Sequence, residues 1–186
     1  MRATPAVLIL LLALATTYAG EMSALQRIAD GESQVGRTRS GFRIIAHGAD
    51  VRMKAPRGWR VALCTEEPLN AQVVCEAPDK KSFVEVRVRA AGQREELDAR
   101  PTDYLQELRR FKDPQIAMAA DGALPLADGR RVSVWRFSSS YWGQRLYTRI
   151  TRGRAVVDIE ASDTRVDGDV ARLRQILADV IRSPKA

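Results

Sequence analysis

The sequence predicts an α+β fold, an antiparallel β-sheet flanked by helices and closed by one hairpin disulfide. Three observations lead there. Residues 82–90 (SFVEVRVRA) alternate strictly, with Val84, Val86 and Val88 on one side and Glu85, Arg87 and Arg89 on the other, the pattern of a half-exposed strand. Residues 131–139, 144–152 and 155–162 follow as three strands with short connections, an antiparallel meander. Two segments, 103–111 and 169–182, place their apolar residues at helical spacing.

The elements can be justified in chain order. Arg2 and Pro5 precede an unbroken apolar run over 6–15, and Thr17 and Ala19 occupy the −3 and −1 places of a small-residue cleavage site. A membrane-spanning helix needs about 20 apolar residues, so residues 1–19 are expected to be a cleaved signal peptide. No cysteine follows the run to carry a lipid. The mature chain is therefore expected to be periplasmic or secreted and to have no integral membrane span. Residues 20–39 hold an expected N-terminal helix over 21–30, with Met22, Leu25, Ile28 and Ala29 in phase and Gly31 as its stop, and a lead-in. Residues 40–183 are expected to form a single α/β domain.

Within that domain, 42–47 and 51–54 are extended, and the breaker Ala55-Pro56-Arg57-Gly58 leads into Trp59. Residues 59–64 and 71–77 form a hairpin through the turn-prone 66–70. Cys64 and Cys75 are the only cysteines, and two thiols this close in an oxidising compartment most often pair. Their bridge would close a loop of about 12 residues and stabilise by roughly 3 kcal/mol in the chain-entropy model. Thr102 is placed to cap the helix 103–111, with Tyr104, Leu105, Leu108 and Phe111 as its stripe and Asp113-Pro114 as its end. A turn on Arg152-Gly153 would set Leu146 against Ile159, Thr148 against Val157 and Ile150 against Ala155. Arg145 would then meet Glu160 and Tyr147 meet Asp158 on the opposite face. The terminal helix aligns Val170, Leu173, Ile176, Leu177, Val180 and Ile181 before breaking at Ser183-Pro184.

This order of elements resembles a family. The run VRMKAPRGWRV (51–61), the helix after Pro101, the Asp128-Gly129-Arg130 turn into VSVWRF, and the closing strand followed by ARLRQILADVI are similar to the PsbP-like fold. That fold is shared by a photosystem II extrinsic protein, a small Ran-binding nuclear transport factor and bacterial envelope proteins. The resemblance spans about residues 40–183. It implies an α/β/α sandwich that serves as a docking module, generally without catalysis.

Thirty Lys and Arg against 23 Asp and Glu give a net charge of +7, and loss of residues 1–19 leaves 29 against 23, or +6. The charge is dispersed in groups: Arg37, Arg39 and Arg43; Arg52, Lys54, Arg57 and Arg60; Arg145, Arg149, Arg152 and Arg154. Twenty-five of the cations are Arg. GC-rich coding would produce that bias without any ligand; an anionic envelope partner would select it.

Enzyme signatures are sparse. No Gly-x-Ser-x-Gly elbow, phosphate loop, dinucleotide fingerprint or calcium loop occurs. A lone His47, at the end of an apolar strand, suits a hydrogen-bonded structural imidazole, and one His cannot assemble a zinc site. No catalytic residue, metal or cofactor is therefore expected. Paired carboxylates, Asp158 and Glu160, leave open a small envelope hydrolase acting on glycan or lipid. Glu66-Glu67 and Glu95-Glu96 are adjacent acids whose side chains diverge. Trp135 is expected in the core. Tyr141-Trp142, between two strands and near Arg145, has the composition of an interface anchor. The sequence thus favours an exported, non-enzymatic binding module that docks an envelope protein or an anionic envelope component through Tyr141, Trp142 and Arg145. Nucleic acid is not an expected partner.

Overall fold

The computed structural model describes residues 25–27, 33–64, 71–91 and 100–182. The expected signal peptide lies outside them, as do the acid pairs at 66–67 and 95–96. Four short strands form an antiparallel sheet in sequence order: β1 (Gln26–Arg27), β2 (Gln34–Thr38), β3 (Gly41–Ala46) and β4 (Ala49–Lys54). The second sheet contains β5 (Arg60–Cys64), β6 (Ala71–Glu76), β7 (Ser82–Ala90), β8 (Ala117–Pro125), β9 (Arg131–Ser139), β10 (Gly143–Arg152) and β11 (Ala155–Asp163). Helix α1 (Thr102–Phe111) connects β7 to β8, and α2 (Val170–Ile181) follows β11. Among the described residues no helix is long and apolar enough to cross a membrane.

The seven strands run β5-β6-β7-β11-β10-β9-β8, all antiparallel. Chain order breaks at one place. After β7 the chain passes through α1 to the far edge, returns strand by strand, and inserts β11 beside β7. The alternation in the sequence then fixes the two faces. Val84, Val86 and Val88, with Val157, Ile159 and Ala161, Leu146 and Ile150, and Val132 and Val134, enter one apolar cluster with the four-stranded sheet and α2. On the other face Phe137 and Tyr147 pack against Leu105 and Leu108 of α1. The large sheet is thus covered by α2 and the small sheet on one side and by α1 on the other.

Several expectations need correction. The Cys64–Cys75 disulfide is not formed, and Cys75 is a free thiol, buried and pushed up to about 12 by that burial. Register explains it. Cys64 stands opposite Gln72 and Cys75 opposite Val61, three residues apart along the hairpin. An odd offset assigns the two positions to opposite faces of the pleat and separates them by roughly 10 Å along the strand direction, beyond the reach of a bridge. The N-terminal helix over 21–30 is also not as expected. Gln26–Arg27 pairs with Gln34 and Val35 as a strand, and the residues on either side lie largely outside those described. A ten-residue helix is marginal on propensity alone, and sheet pairing overrides it. Strands β2 and β8 had no strand signal in the sequence, so the expected three-strand meander has four strands. His47, expected as a hydrogen-bonded strand-end imidazole, sits exposed in the β3–β4 turn with φ 51°.

Candidate functional site

Two regions carry the residues singled out by the sequence. The first is the end of the large sheet at the β9–β10 turn. Ser139 Oγ accepts the backbone N–H groups of Tyr141 (3.1 Å) and Trp142 (3.0 Å) and donates to the buried carboxylate of Asp113 (2.5 Å). Gly143 then re-enters the strand at φ 71°, where a Cβ would stand 2.1 Å from the Asp163 carbonyl oxygen, so only glycine fits. The turn therefore holds its two aromatics outward from an anchored base. Trp142 Nε1 donates to the Lys112 carbonyl just past α1 (3.0 Å), and the Lys112 ammonium lies 5.2 Å from its ring. One residue back, the Arg110 guanidinium lies 5.0 Å from the ring of Phe111. On the other side Gln144 Nε2 donates to the Val166 carbonyl (3.3 Å), and Asp163 holds Arg165 through both carboxylate oxygens (2.9 and 2.5 Å).

The result is a concentration of exposed apolar surface. Among the described residues the exposed large hydrophobic side chains are Phe111 (68%), Tyr141 (78%), Trp142 (41%) and Val166 (58%), and hydrogen bonds tie their segments to this one turn. Phe111 and Val166 were not singled out from the sequence. Phe111 reads there as the last member of the core stripe of α1, yet the helix ends as it turns outward. Arg145, expected beside Tyr141 and Trp142, is elsewhere. It faces α1 from within β10 and is bonded to Glu160 at 2.5 Å.

That pair belongs to the second region, a layer of charge between α1 and the sheet. Arg89 and Arg149 bracket Asp158 at 2.8 Å each, Arg149 also reaches Asp103 of α1 at 2.9 Å, and Tyr147 donates its hydroxyl to Asp158. Tyr104 of α1 stacks on Tyr147, ring centroids 4.5 Å apart and 14° from parallel, and donates its hydroxyl to Glu160. Trp135 is half-buried and packs into the same layer. The expected register is displaced by two residues: Tyr147 stands opposite Glu160 and Arg149 opposite Asp158, because Gly153-Arg154 forms the turn. The expected partners still meet, diagonally across the strands.

The sequence missed an acid pair that the sheet brings together. Glu85 on β7 stands directly opposite Glu160 on β11, on the same face. Burial first, and Glu85 second, push the Glu160 carboxyl well above the ordinary carboxylate range, against Arg87. Burial likewise pushes the Tyr147 phenol up. A raised carboxyl of this kind could act as a general acid only if substrate reached it. Here the space lined by Glu85, Arg87, Tyr104, Tyr147, Asp158 and Glu160 amounts to about 20 Å³, room for about one water. Among the described residues no cluster of three or more His, Cys, Asp or Glu side chains is placed to hold a metal ion.

No protein-family model and no curated protein matches the chain.

Proposed function

We propose that this chain is an exported, non-enzymatic docking module of the cell envelope with a PsbP-like architecture, and that it engages its partner through the sheet end at Tyr141 and Trp142. The observation that carries this reading is the gathering of Phe111, Tyr141, Trp142 and Val166 around one anchored turn. Single exposed apolar residues are normal on any surface. A group of them, interleaved with Arg110, Lys112 and Arg165, has the composition of a binding site. The ring of Trp142 is held in place by its own hydrogen bond, so little side-chain entropy is lost when a partner covers it. The partner is an envelope protein or an anionic envelope component.

The hydrolase reading has weaker support. Asp158 and Glu160 are each held by Arg and Tyr side chains, and α1 lies over them. A space the size of one water admits no sugar ring.

Trp142→Ala tests the proposal. Capture of partner from envelope extract should weaken by about 2 kcal/mol, the scale of an interface anchor. The melting temperature should fall by only a few degrees, since one hydrogen bond to Lys112 is worth about 1 kcal/mol. Unchanged capture, or a domain that no longer folds, would reject the assignment.

A further inference from the structure

A concavity at the same end of the large sheet is chemically distinct from the aromatic turn. Sequence distributes its cations into two separate groups, Arg37 with Arg39, and Lys54 with Arg57 and Arg60. The fold brings the groups together. The β2–β3 hairpin carries Arg37 and Arg39 to one wall; β4 and the corner leading into β5 carry Lys54, Arg57 and Arg60 to the other. Between them lies a cleft of about 620 Å³ whose lining includes five cations, one tryptophan (Trp59) and no acid.

Its shape is set by backbone. Ala55 donates to the Ser40 carbonyl (3.0 Å) and Trp59 to the Pro56 carbonyl (3.1 Å), which fixes both turns. Gly58 takes φ 80°, and a Cβ on Gly41 would stand 2.0 Å from the Met53 carbonyl oxygen, so two glycines are required to form these walls. Trp59 is half-buried and packs on the main core, which leaves its remaining surface fixed in the cleft. Arg60 is bonded to Glu76 at 2.5 Å, whereas Arg37, Arg39 and Arg57 form no ion pair with any described acid. Like charges in a concave site raise the local potential and draw anions into it.

We infer that this cleft is a binding site for a phosphate-bearing anion, seated among Arg37, Arg39 and Arg57 with its neighbouring atoms against Trp59. Phosphate fits the donor set because guanidinium groups present paired N–H donors to its oxygens. The volume exceeds what a bare phosphate fills, so the ligand carries a further group. Such a phosphate could reach the cleft on a lipid headgroup or on a soluble molecule. The cleft opens beside the start of β5, at the same end of the sheet as the β9–β10 turn. The site does not depend on the docking role assigned to Trp142.

The test uses the mature chain with two probes, pyrophosphate and vesicles of phosphatidylglycerol in phosphatidylcholine. Pyrophosphate should bind and quench or shift tryptophan emission. Arg39→Glu with Arg57→Glu should weaken that binding by at least about thirtyfold, two lost cation contacts at roughly fivefold each. A matched charge change at the opposite end of the sheet, Arg131→Glu with Arg154→Glu, should leave it within about twofold, and Trp142→Ala should leave it unchanged. Vesicle binding that excess pyrophosphate displaces assigns the phosphate to a lipid headgroup; pyrophosphate binding without vesicle binding assigns it to a soluble ligand. The inference is overturned if pyrophosphate does not bind, if vesicles bind without competition from it, or if the two charge-reversal variants lose affinity equally.

Discussion

Glu160 shows how the charged layer bears on stability one residue at a time. Its folded-state value is raised by burial and by Glu85, so the folded protein keeps this proton at pH values where the unfolded chain, with an ordinary Glu near 4.3, has released it. Where the folded state binds more protons, stability falls as pH rises. The contribution is fully present below about pH 4.3 and is lost as pH climbs through the raised value. Asp163 has the opposite sign. Its hydrogen bonds from Arg165 hold it below the usual carboxylate range, so its contribution is present above about pH 3.9 and lost as pH falls through the lowered value. Glu160→Gln keeps the shape and removes the titration. Urea midpoints taken at several pH values between about 5 and 8 should decline with pH in the parent and decline less in the variant. Parallel slopes would mean that Glu160 is ionised throughout this range in the folded protein.

At the scale of elements, the two helices differ in how they begin. Asp169 caps α2, its side chain accepting the Arg172 N–H at 3.0 Å. Helix α1 begins after Pro101 with no side-chain cap, so Thr102, which the sequence offers as the cap, is already inside the helix. Asp169→Ala should therefore lower stability by about 1 kcal/mol, while Thr102→Ala should change it by only a few tenths; chemical denaturation of both variants measures the contrast. The same scale separates what the sequence discloses from what it hides. Strands β7 and β9 were legible to the residue, because each alternates with β-branched or aromatic residues on one face. Strand β8 was not. Its AMAADGALP run is rich in Ala, interrupted by Asp121-Gly122 and ended by Pro125, and it survives as an edge strand with an irregularity between Ala120 and Ala123. The hairpin turn β10–β11 was placed one residue early, which displaced the register by two but preserved the faces. Glu85 opposite Glu160 and the cleft at Trp59 were invisible for another reason. The acid pair requires elements distant in sequence to be neighbours, and the cleft requires β2, which carried no strand signal, to fold back through β3 onto β4; local periodicity says which face a residue occupies without saying which strand lies beside it.

At the scale of the whole molecule, the insertion of β11 between β7 and β10 is the step that closes the fold. Its neighbour β10 is local, joined by a two-residue turn, but β7 is separated from it by α1 and three strands. Such a pairing must overcome the entropy of a long loop before its contacts form, so it is expected late in folding. Once made, it is the most enclosed position in the sheet. Both edges of β11 are hydrogen-bonded along its length, one face lies under α2, and the other is sealed by the charged layer and α1. Strand β8 is the converse, with one edge unpaired among the described residues and most side chains exposed or half-buried. Opening free energies in a folded protein rise from edges and fraying segments toward the enclosed core. Hydrogen exchange followed by mass spectrometry should therefore find the amides of 155–163 among the slowest in the chain, exchanging only with global unfolding, and those of 117–125 among the first of the strands to exchange. Ile159→Ala, which removes a fully buried side chain from the same strand, should cost about 2–5 kcal/mol. It should also accelerate exchange across β7, β10 and β11 together, because all three open with the strand between them. Protection of 117–125 equal to that of 155–163 would contradict this order of opening.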